Sequence, residues 1–205
     1  MCREDAAENV EMPSPTIPSR PTYKPFELVP VARAHLIIAE HLEALPNLSP
    51  PAWPDAPIEF WAIVPDSRSL GLQRVNHGIP TYHYRAAPHL LDHLAYRLER
   101  EFVGLHLYAI GRESFIWDVA GLARGKGMDR DEYHLTQQGS ERRRVYCVHC
   151  RTFTENVSTN IAVCSGCGAQ LQVRDHFSQR LAAFMGVQVD AELPGALPPI
   201  EEAYP

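Results

Sequence analysis

Four cysteines in two C-x-x-C pairs are the residues of this 205-residue chain whose chemistry is easiest to interpret. Such a turn presents two thiolates to one ion, and the 13 residues between the pairs leave room for a short hairpin that brings the second turn opposite the first. Four thiolates select zinc, or alternatively iron, and they fill a tetrahedral coordination sphere. We therefore predict a structural metal, or one that passes an electron, and not a hydrolytic one. The predicted ligands are Cys147, Cys150, Cys164 and Cys167.

Two other uses of these cysteines stay open, namely two disulfides or a thioredoxin-like redox pair. His149 lies between the first two cysteines, but four thiolates already suffice, so we expect its imidazole to point outward. The second turn is followed by Gly168, which lets backbone N–H groups point at sulfur, whereas the first is followed by Arg151. This departure from a symmetric glycine pattern favours zinc over iron.

Composition and charge exclude several classes of protein. Hydrophobic residues make up 45% of the chain, enough to bury a core. There is no apolar run that would span a bilayer and no secretory pattern at the start, and the cysteine usage fits a reducing compartment, so we expect a cytoplasmic protein. The net charge of −6 argues against a general nucleic-acid binder.

Other motifs add little chemistry. No GxSxG, Walker or paired-carboxylate motif is present, so no residue is assigned a catalytic role. The basic triplet Arg142 to Arg144 is interpreted as a solvated strand edge, or otherwise as a patch for a phosphate or an acidic partner.

Residues 1–57 are predicted to form an arm, because they hold 11 of the 18 prolines. Within this arm, residues 31–45 have high helix propensity and end at Pro46, which predicts one helix. The arm either wraps a partner protein or folds back on its own chain.

Residues 58–140 are predicted to form an α/β domain with a mostly parallel sheet. Short apolar runs alternate there with two helix-period segments, the first over 88–102 and the second following Gly111. Residues 141–190 are predicted to form the metal module plus a helix that begins near Asp175 and ends at Gly186. Residues 191–205, rich in proline and acid, are predicted to be an extended tail.

The segment Leu105–Met128 resembles the last strand–helix unit of ferredoxin-reductase nicotinamide domains, where Cys-Gly-Pro follows the strand. Here Ile110 and Arg112 stand at the cysteine and proline positions, and Gly111 matches. No glycine-rich loop for a pyrophosphate and no flavin barrel precede it. The resemblance implies a nicotinamide-type fold used for assembly. Residual dinucleotide binding at Gly111, Arg112 and the following helix is the alternative.

Over residues 55–195 the chain resembles the DmmA-type small subunit of bacterial dimethylamine monooxygenase, most specifically in the four-cysteine module and in Arg174–Val187. The resemblance implies a complex that oxidatively demethylates dimethylamine with O2 and NADPH. It also implies partner subunits: a reductase carrying FMN and an iron–sulfur cluster, and an oxygenase housing the oxygen-activating centre.

Together these observations give an expected fold and three main hypotheses of function. The fold is a parallel α/β domain of the ferredoxin-reductase type, a zinc-ribbon-like four-cysteine module with a helix, and Pro-rich arms. The first hypothesis is a non-catalytic accessory subunit that contacts the reductase and oxygenase, with neither nucleic acid nor membrane as partner. The second is a rubredoxin-like electron-transfer subunit, and the third a zinc-ribbon nucleic-acid adaptor. A dinucleotide-binding enzyme is a further alternative.

Overall fold

This computed structural model describes residues 19–47, 55–65, 71–75, 78–192, 195 and 197–205. The first part of the predicted arm, including Cys2, and its residues 48–54 lie outside the described residues. The described elements form two sheets and two α-helices. The first sheet contains β1 (Ala34–Ala39), β2 (Ile58–Ile63), β3 (Gly71–Val75), β4 (Ile79–Tyr84), β5 (Leu105–Gly111) and β6 (Tyr133–Gln137). The helices are α1 (Ala87–Leu98) and α2 (Glu113–Gly125).

The first sheet is mostly parallel, in the order β3-β4-β2-β1-β5-β6. Every neighbouring pair is parallel except the β3–β4 hairpin. Helix α1 carries the chain from β4 across to β5, and α2 carries it from β5 to β6. The predicted fold class, an α/β protein with a parallel sheet and a four-cysteine unit after it, is confirmed.

The helix predicted over residues 31–45 is wrong, because this segment supplies the central strand β1 and a short 3-10 turn at Leu42–Ala44. All six residues of β1 are buried, since the strand lies between β2 and β5 with both faces covered. A strand buried on both faces shows no polar–apolar alternation, so helix propensity misleads there. The predicted domain boundary at residue 57 is corrected for the same reason, since the sheet begins at Ala34.

The two faces of this sheet are covered differently. Both helices pack on one face, where Leu94 of α1 and Val119 of α2 belong to the same hydrophobic cluster as Leu36 and Ile38 of β1. The opposite face buries Ile37, and its cover includes Phe26 and Leu28 of the arm. Of the two uses predicted for the arm, its described part therefore folds back on its own chain.

The second sheet carries the four cysteines. Its order is β8-β7-β11-β10-β9, built from two antiparallel hairpins that flank β11. The helix predicted from Asp175 to Gly186 is wrong, because these residues form most of an antiparallel hairpin. The strands are β7 (Arg143–Cys147), β8 (Phe153–Val157), β9 (Ile161–Val163), β10 (Gln170–Ser178) and β11 (Ala183–Gln188).

Gly186 shows why the helix prediction failed. The sequence pattern predicts a helix end at this residue, but the residue lies in β11 between β7 and β10. A Cβ atom there would lie 2.6 Å from Cγ1 of Val145 and 3.0 Å from Cδ1 of Leu171. The glycine therefore permits close strand packing and does not end a helix.

The two sheets share a hydrophobic core, so the predicted limits at 140 and 141 do not separate independent cores. Trp117 of α2 packs on Phe177 of β10 with ring centroids 5.4 Å apart. Beside this contact, the Arg144 guanidinium donates to both oxygens of Asp118 on α2, at 2.6 and 2.8 Å. Its Nε also donates to Glu155 of β8 at 2.6 Å. A bidentate, partly buried pair of this kind fixes the second sheet against α2.

The C-terminal tail lies against the second sheet. The Ala203 and Tyr204 amides both donate to the carbonyl of Ser158 at 2.8 Å, and Glu202 forms an isolated bridge with Thr159. Neither helix in the described part of the chain is long and apolar enough to cross a membrane.

Candidate metal centre and sheet crevice

Each C-x-x-C pair lies at the turn of one hairpin. Strand β7 leads into the turn that holds Cys147 and Cys150, and β8 leads away from it. Strand β9 leads into the turn that holds Cys164 and Cys167, followed by β10. Because β11 lies between the hairpins, the two turns project from the same end of the sheet and face each other.

The four predicted cysteines come together, with all sulfur atoms within 4.8 Å of one another. The Cys147 and Cys167 sulfurs are 3.9 Å apart, and those of Cys150 and Cys164 are 3.5 Å apart. A tetrahedral site with zinc–sulfur bonds of about 2.3 Å needs sulfur–sulfur distances of about 3.8 Å. The donor set therefore fits one tetrahedral ion. His149 is exposed and does not belong to the cluster, as expected.

The two cysteine turns have the same backbone hydrogen bonds. The Cys147 amide donates to the Thr152 carbonyl at 3.0 Å, and the Cys164 amide donates to the Ala169 carbonyl at 2.9 Å. The residue after each pair has a left-handed backbone, with φ of 64° at Arg151 and 75° at Gly168. The arginine thus adopts the conformation that favours glycine, and the sequence asymmetry that favoured zinc is absent from the backbone.

Close packing of the turns explains a second glycine. A Cβ atom on Gly166 would lie 2.5 Å from Oγ1 of Thr152 in the opposite turn. The Gly166 amide donates to the Cys164 sulfur at 3.4 Å. A hydrogen bond of this kind favours the thiolate form, which is the form that binds a metal.

The pKa values of three cysteine thiols are shifted in different directions, because each thiol has different hydrogen-bond partners and neighbours. Hydrogen bonds from Thr152, first from its side chain and then from its backbone, lower the pKa of Cys150 to about 6. Burial opposes ionisation of Cys164, but amide donors from Cys167 and Gly166 outweigh it and lower the pKa. For Cys167 the Ala169 amide lowers the pKa, but burial and the neighbouring sulfurs outweigh it and raise the pKa to about 11.

A second site lies where a parallel sheet of this topology would bind a ligand. From β1 the chain first continues to β2 on one side of β1 and later returns to β5 on the other side of β1. The crevice at the carboxyl ends of β1 and β5 is therefore the topological switch point of the sheet, where ligands bind in folds of this kind. Glu40 follows β1 and is 5% exposed, and Arg112 follows β5. The Glu40 carboxylate accepts from the Arg112 amide at 2.8 Å, from Nε at 2.9 Å and from Nη2 at 2.6 Å.

The Glu40 carboxylate accepts from the backbone amide at the start of α2. Arg112 caps the start of α2, and its amide is the kind of donor that a pyrophosphate uses at a helix N-terminus. A Cβ atom on Gly111 would lie 2.6 Å from the Glu40 Cβ, so the glycine is needed for this close approach. Of the groups named for residual dinucleotide binding, the backbone amide and the guanidinium of Arg112 thus already bond to Glu40.

The basic triplet is not a solvated edge, which corrects the sequence interpretation. Arg143 is 2% exposed and lies between the rings of Phe184 and Tyr204, with Cζ 3.8 and 3.7 Å from the two ring centroids. Arg144 is held by Asp118 and Glu155. These three arginines therefore do not form a row of unpaired positive charges that a nucleic acid could contact.

Comparison with known families identifies the chain over most of its length. Residues 15–133 match the N-terminal domain model of the dimethylamine monooxygenase subunit DmmA-like family, and residues 144–187 match its C-terminal domain model. The chain belongs to this DmmA-like family. The resemblance expected from the four-cysteine module and the segment after it is thereby confirmed.

A curated relative of this DmmA-like chain is the heme-dependent oxidative N-demethylase delta subunit of Ectopseudomonas mendocina (strain ymp). The two are 39% identical over 126 residues, which cover 61% of this chain and 71% of the relative.

Two solved structures resemble this chain weakly. The siderophore-interacting protein SipS from Aeromonas hydrophila matches 52% of this chain and 46% of its own, with 14% identity and a TM-score of 0.33. Phthalate dioxygenase reductase matches 65% of this chain and 46% of its own, with 13% identity and a TM-score of 0.37. At such low scores neither likeness informs ligand binding.

Sequence reasoning found the four cysteines but missed Glu40. Helix propensity predicts that this residue lies in a helix of the arm, where an acidic side chain indicates no particular site. The available signal was positional, because a buried run ends at Ala39 and an acidic residue follows it, just as Gly111 and Arg112 follow another buried run. Recognising both runs as parallel strands would have placed Glu40 and Arg112 at the same edge of the sheet.

Proposed function

We propose that this chain is a non-catalytic accessory subunit of a multisubunit oxidative N-demethylase of the dimethylamine monooxygenase type. In this proposal the complex uses NADPH and O2, and the chain is a cytoplasmic protein. Membership of the DmmA-like family and the similarity to a delta subunit support the assignment to such a complex.

The observation that carries the non-catalytic role is the four-sulfur cluster. Four thiolates at these distances complete a tetrahedral sphere, so a zinc ion held there has no open position for water, substrate or oxygen. The proposed ligands are Cys147, Cys150, Cys164 and Cys167. Zinc would supply no redox chemistry, and its role would be to hold the two hairpin turns together.

The closed crevice supports the same role. Glu40 neutralises the charge of Arg112 and accepts from the backbone amide at the start of α2, so a pyrophosphate at the switch point would have to displace this carboxylate. The nicotinamide-type sheet then serves as a scaffold. We propose that NADPH, FMN and the iron–sulfur cluster bind to a reductase subunit and that oxygen is activated in an oxygenase subunit.

Reconstitution of the complex tests this function. The purified chain should produce no formaldehyde from dimethylamine, and the reductase and oxygenase should co-purify with it. Omitting the chain, or supplying it as Cys164→Ser, should reduce assembly and turnover together, whereas the Cys2→Ser control should behave as wild type. Normal assembly and turnover without the chain would contradict the proposal.

A rubredoxin-like electron-transfer subunit is the second candidate, and one observation favours it. Cys167 is exposed, and the apolar side chain of Val148 in the opposite turn is 45% exposed. An ion in this cluster would therefore lie close to a surface on which an electron-transfer partner could dock. The candidate requires iron, since zinc does not change its oxidation state.

A further inference from the structure

One face of the second sheet is apolar and partly exposed near the cysteine turns. Successive residues of a strand point to opposite faces, and the buried Val145, Leu171 and Phe184 mark the face that packs in the shared core. The residues that alternate with them, together with their neighbours across the strands, lie on the opposite face. This outer face consists of Tyr146, Val148, Val163, Gln170, Gln172, Met185 and Val187.

The outer face differs in composition from a sheet face that is adapted to water. Antiparallel strands with one solvated face alternate apolar residues inward with polar residues outward. On the outer face five of the seven residues are apolar, and the other two are uncharged glutamines. Val148 is 45% exposed, Val163 56% and Val187 39%, so their side chains are open to contact. A contiguous apolar surface of this kind is typical of a binding surface.

The described part of the arm begins beside β10, the strand that carries Gln172 of the outer face. The Ser19 hydroxyl donates to the Asp175 carbonyl at 3.1 Å, and its oxygen lies 3.3 Å from Nδ1 of His176. Residues 1–18 precede this contact in the chain and lie outside the described residues. They therefore start from a strand that contributes to the outer face.

The length of the preceding segment suits the outer face. His176 and Gln172 are four residues apart on β10, or about 13 Å, and the step from β10 through β11 to β7 adds about 10 Å across the strands. The diagonal from His176 to Val148 is thus about 16 Å. Residues 13–18 include three prolines, and six residues in the extended polyproline conformation span about 19 Å. The residues just before Ser19 are therefore long enough to cross the outer face.

The segment also matches the outer face in chemistry. Residues 12–18 contain no charged side chain, whereas residues 3–11 contain five. Met12 and Ile17 supply apolar side chains, and covering apolar surface is favourable by about 25 cal/mol per Å². The prolines lack an N–H group, so fewer backbone donors lose water when the segment is covered. An uncharged, proline-rich segment is thus suited to an uncharged face.

We propose that residues 12–18 of the same chain lie across the outer face, with Ile17 near Met185 and Met12 near Val148. The described part of the arm already covers one face of the parallel sheet, and the segment before it would cover a face of the second sheet. The inference does not rest on the function proposed for the complex, because it involves this chain alone. A second copy of the chain and another protein are the competing occupants.

Nuclear Overhauser effects between methyl groups in the purified full chain test the proposal. The Met12 methyl resonance is assigned by its loss in Met12→Leu, and those of Val148 by their loss in Val148→Ala. We expect a direct effect between these two residues, because the proposed path brings them into contact. A mixture of chains labelled only at methionine with chains labelled only at valine should show no such effect, since the contact lies within one chain.

Variants test whether the contact depends on the outer face. Val187→Asp should reduce the effect between Met12 and Val148 by about half or more, because covering a carboxylate with an apolar segment is unfavourable. Val31→Asp, a change at a valine that is 90% exposed and lies outside the outer face, is the matched control and should leave the effect unchanged. Pro15→Gly gives the undocked segment more conformational freedom and should also weaken the effect. This variant keeps the test valid should Val187→Asp fail to fold.

Three outcomes would overturn the proposal. Absence of the effect in the purified chain would leave the outer face to another protein. Appearance of the effect in the mixed sample would assign the face to a second copy of the chain. Equal effects in Val187→Asp and Val31→Asp would show that the segment does not lie on this face.

Discussion

The two sheets lie on one shared core but are held together in different ways. The parallel sheet buries apolar side chains on both faces, and its central strand β1 is buried along its whole length. In the second sheet, β8 is mostly exposed, and the two hairpins converge on four sulfur atoms. In the function proposed above, the first sheet relies on its buried side chains, whereas the second also relies on an ion at one end.

The difference extends to the site that each sheet builds. At the switch point of the parallel sheet the chain supplies its own anion, Glu40, so the crevice is complete without a ligand. At the end of the second sheet the chain brings together four cysteine sulfurs, and in the proposed function a cation neutralises their thiolates. The molecule therefore carries one internally neutralised site and one whose four sulfur atoms could hold a metal.

The largest expected effect comes from removing one cysteine. Cys164→Ser should lose the ion and unfold residues 145–175, because binding energies of about 10–16 kcal/mol for structural zinc are folding energy. Metal content and limited proteolysis measure this, with Cys2→Ser as the matched control. The parallel sheet should keep its protection from hydrogen exchange. A module that stayed folded and protease-resistant without metal would contradict the difference between the sheets.

The parallel sheet should respond instead to its internal ion pair. Glu40→Gln removes the charge that neutralises Arg112, and losing the buried partner of this half-exposed arginine should cost about 1–2 kcal/mol. Urea unfolding of the sheet should show the loss, while metal content stays at the wild-type value. The exposed Glu43→Gln serves as control and should change stability little. Equal stability of the two variants would show that the crevice is not held by this pair.

The stability of the parallel sheet should also depend on pH, through two of its histidines. Burial, with a smaller contribution from His106, lowers the pKa of His35 and of His134 in the parallel sheet. The unfolded chain then takes up protons first, so the stability of this sheet should fall as the pH drops below about 6.5.

Amide hydrogen exchange of β1 at pH 7.5 and 5.5 measures this effect. His134→Gln should reduce the pH dependence, and His89→Gln, a change at an exposed position on α1, should not. The same pH dependence in both variants would exclude His134 as a source.

The smallest expected effect is a gain within the second sheet. Arg151→Gly relieves the left-handed backbone of the first cysteine turn and should stabilise the module by about 1 kcal/mol. Gly168→Ala, at the equivalent position of the second turn, should destabilise it. Competition for zinc with a chelator measures both changes. No gain in zinc retention for Arg151→Gly would mean that the first turn is not strained.

The sequence predicted the parts of this fold whose patterns are local. The two helix-period segments correspond to α1 and α2, and the short apolar runs that alternate with them correspond to strands of the parallel sheet. Strand β1 was not predicted, because a central strand has no polar face and its Ala, Leu and Glu residues favour a helix. The β10–β11 hairpin was missed because Phe177, Leu181, Phe184 and Met185 mimic a helical period. Leu181 and the following Ala182, with φ of 51°, lie outside both strands.

The candidate sites divide in the same way. The four cysteines were predicted because C-x-x-C is a local pattern with one main chemical meaning. The pair formed by Glu40 and Arg112 joins residues 72 positions apart and depends on the order of the strands. The burial of Arg143 depends likewise on β11 and the tail. Contacts of this kind follow from topology and are absent from any short stretch of sequence.

The most direct test of the central claim is the metal content of the purified chain together with its visible absorption spectrum. We expect one zinc per chain and no absorption in the visible range, as a closed structural site requires. One iron per chain, with a colour that is lost on reduction and regained on oxidation, would contradict the account and make the chain a link in electron transfer.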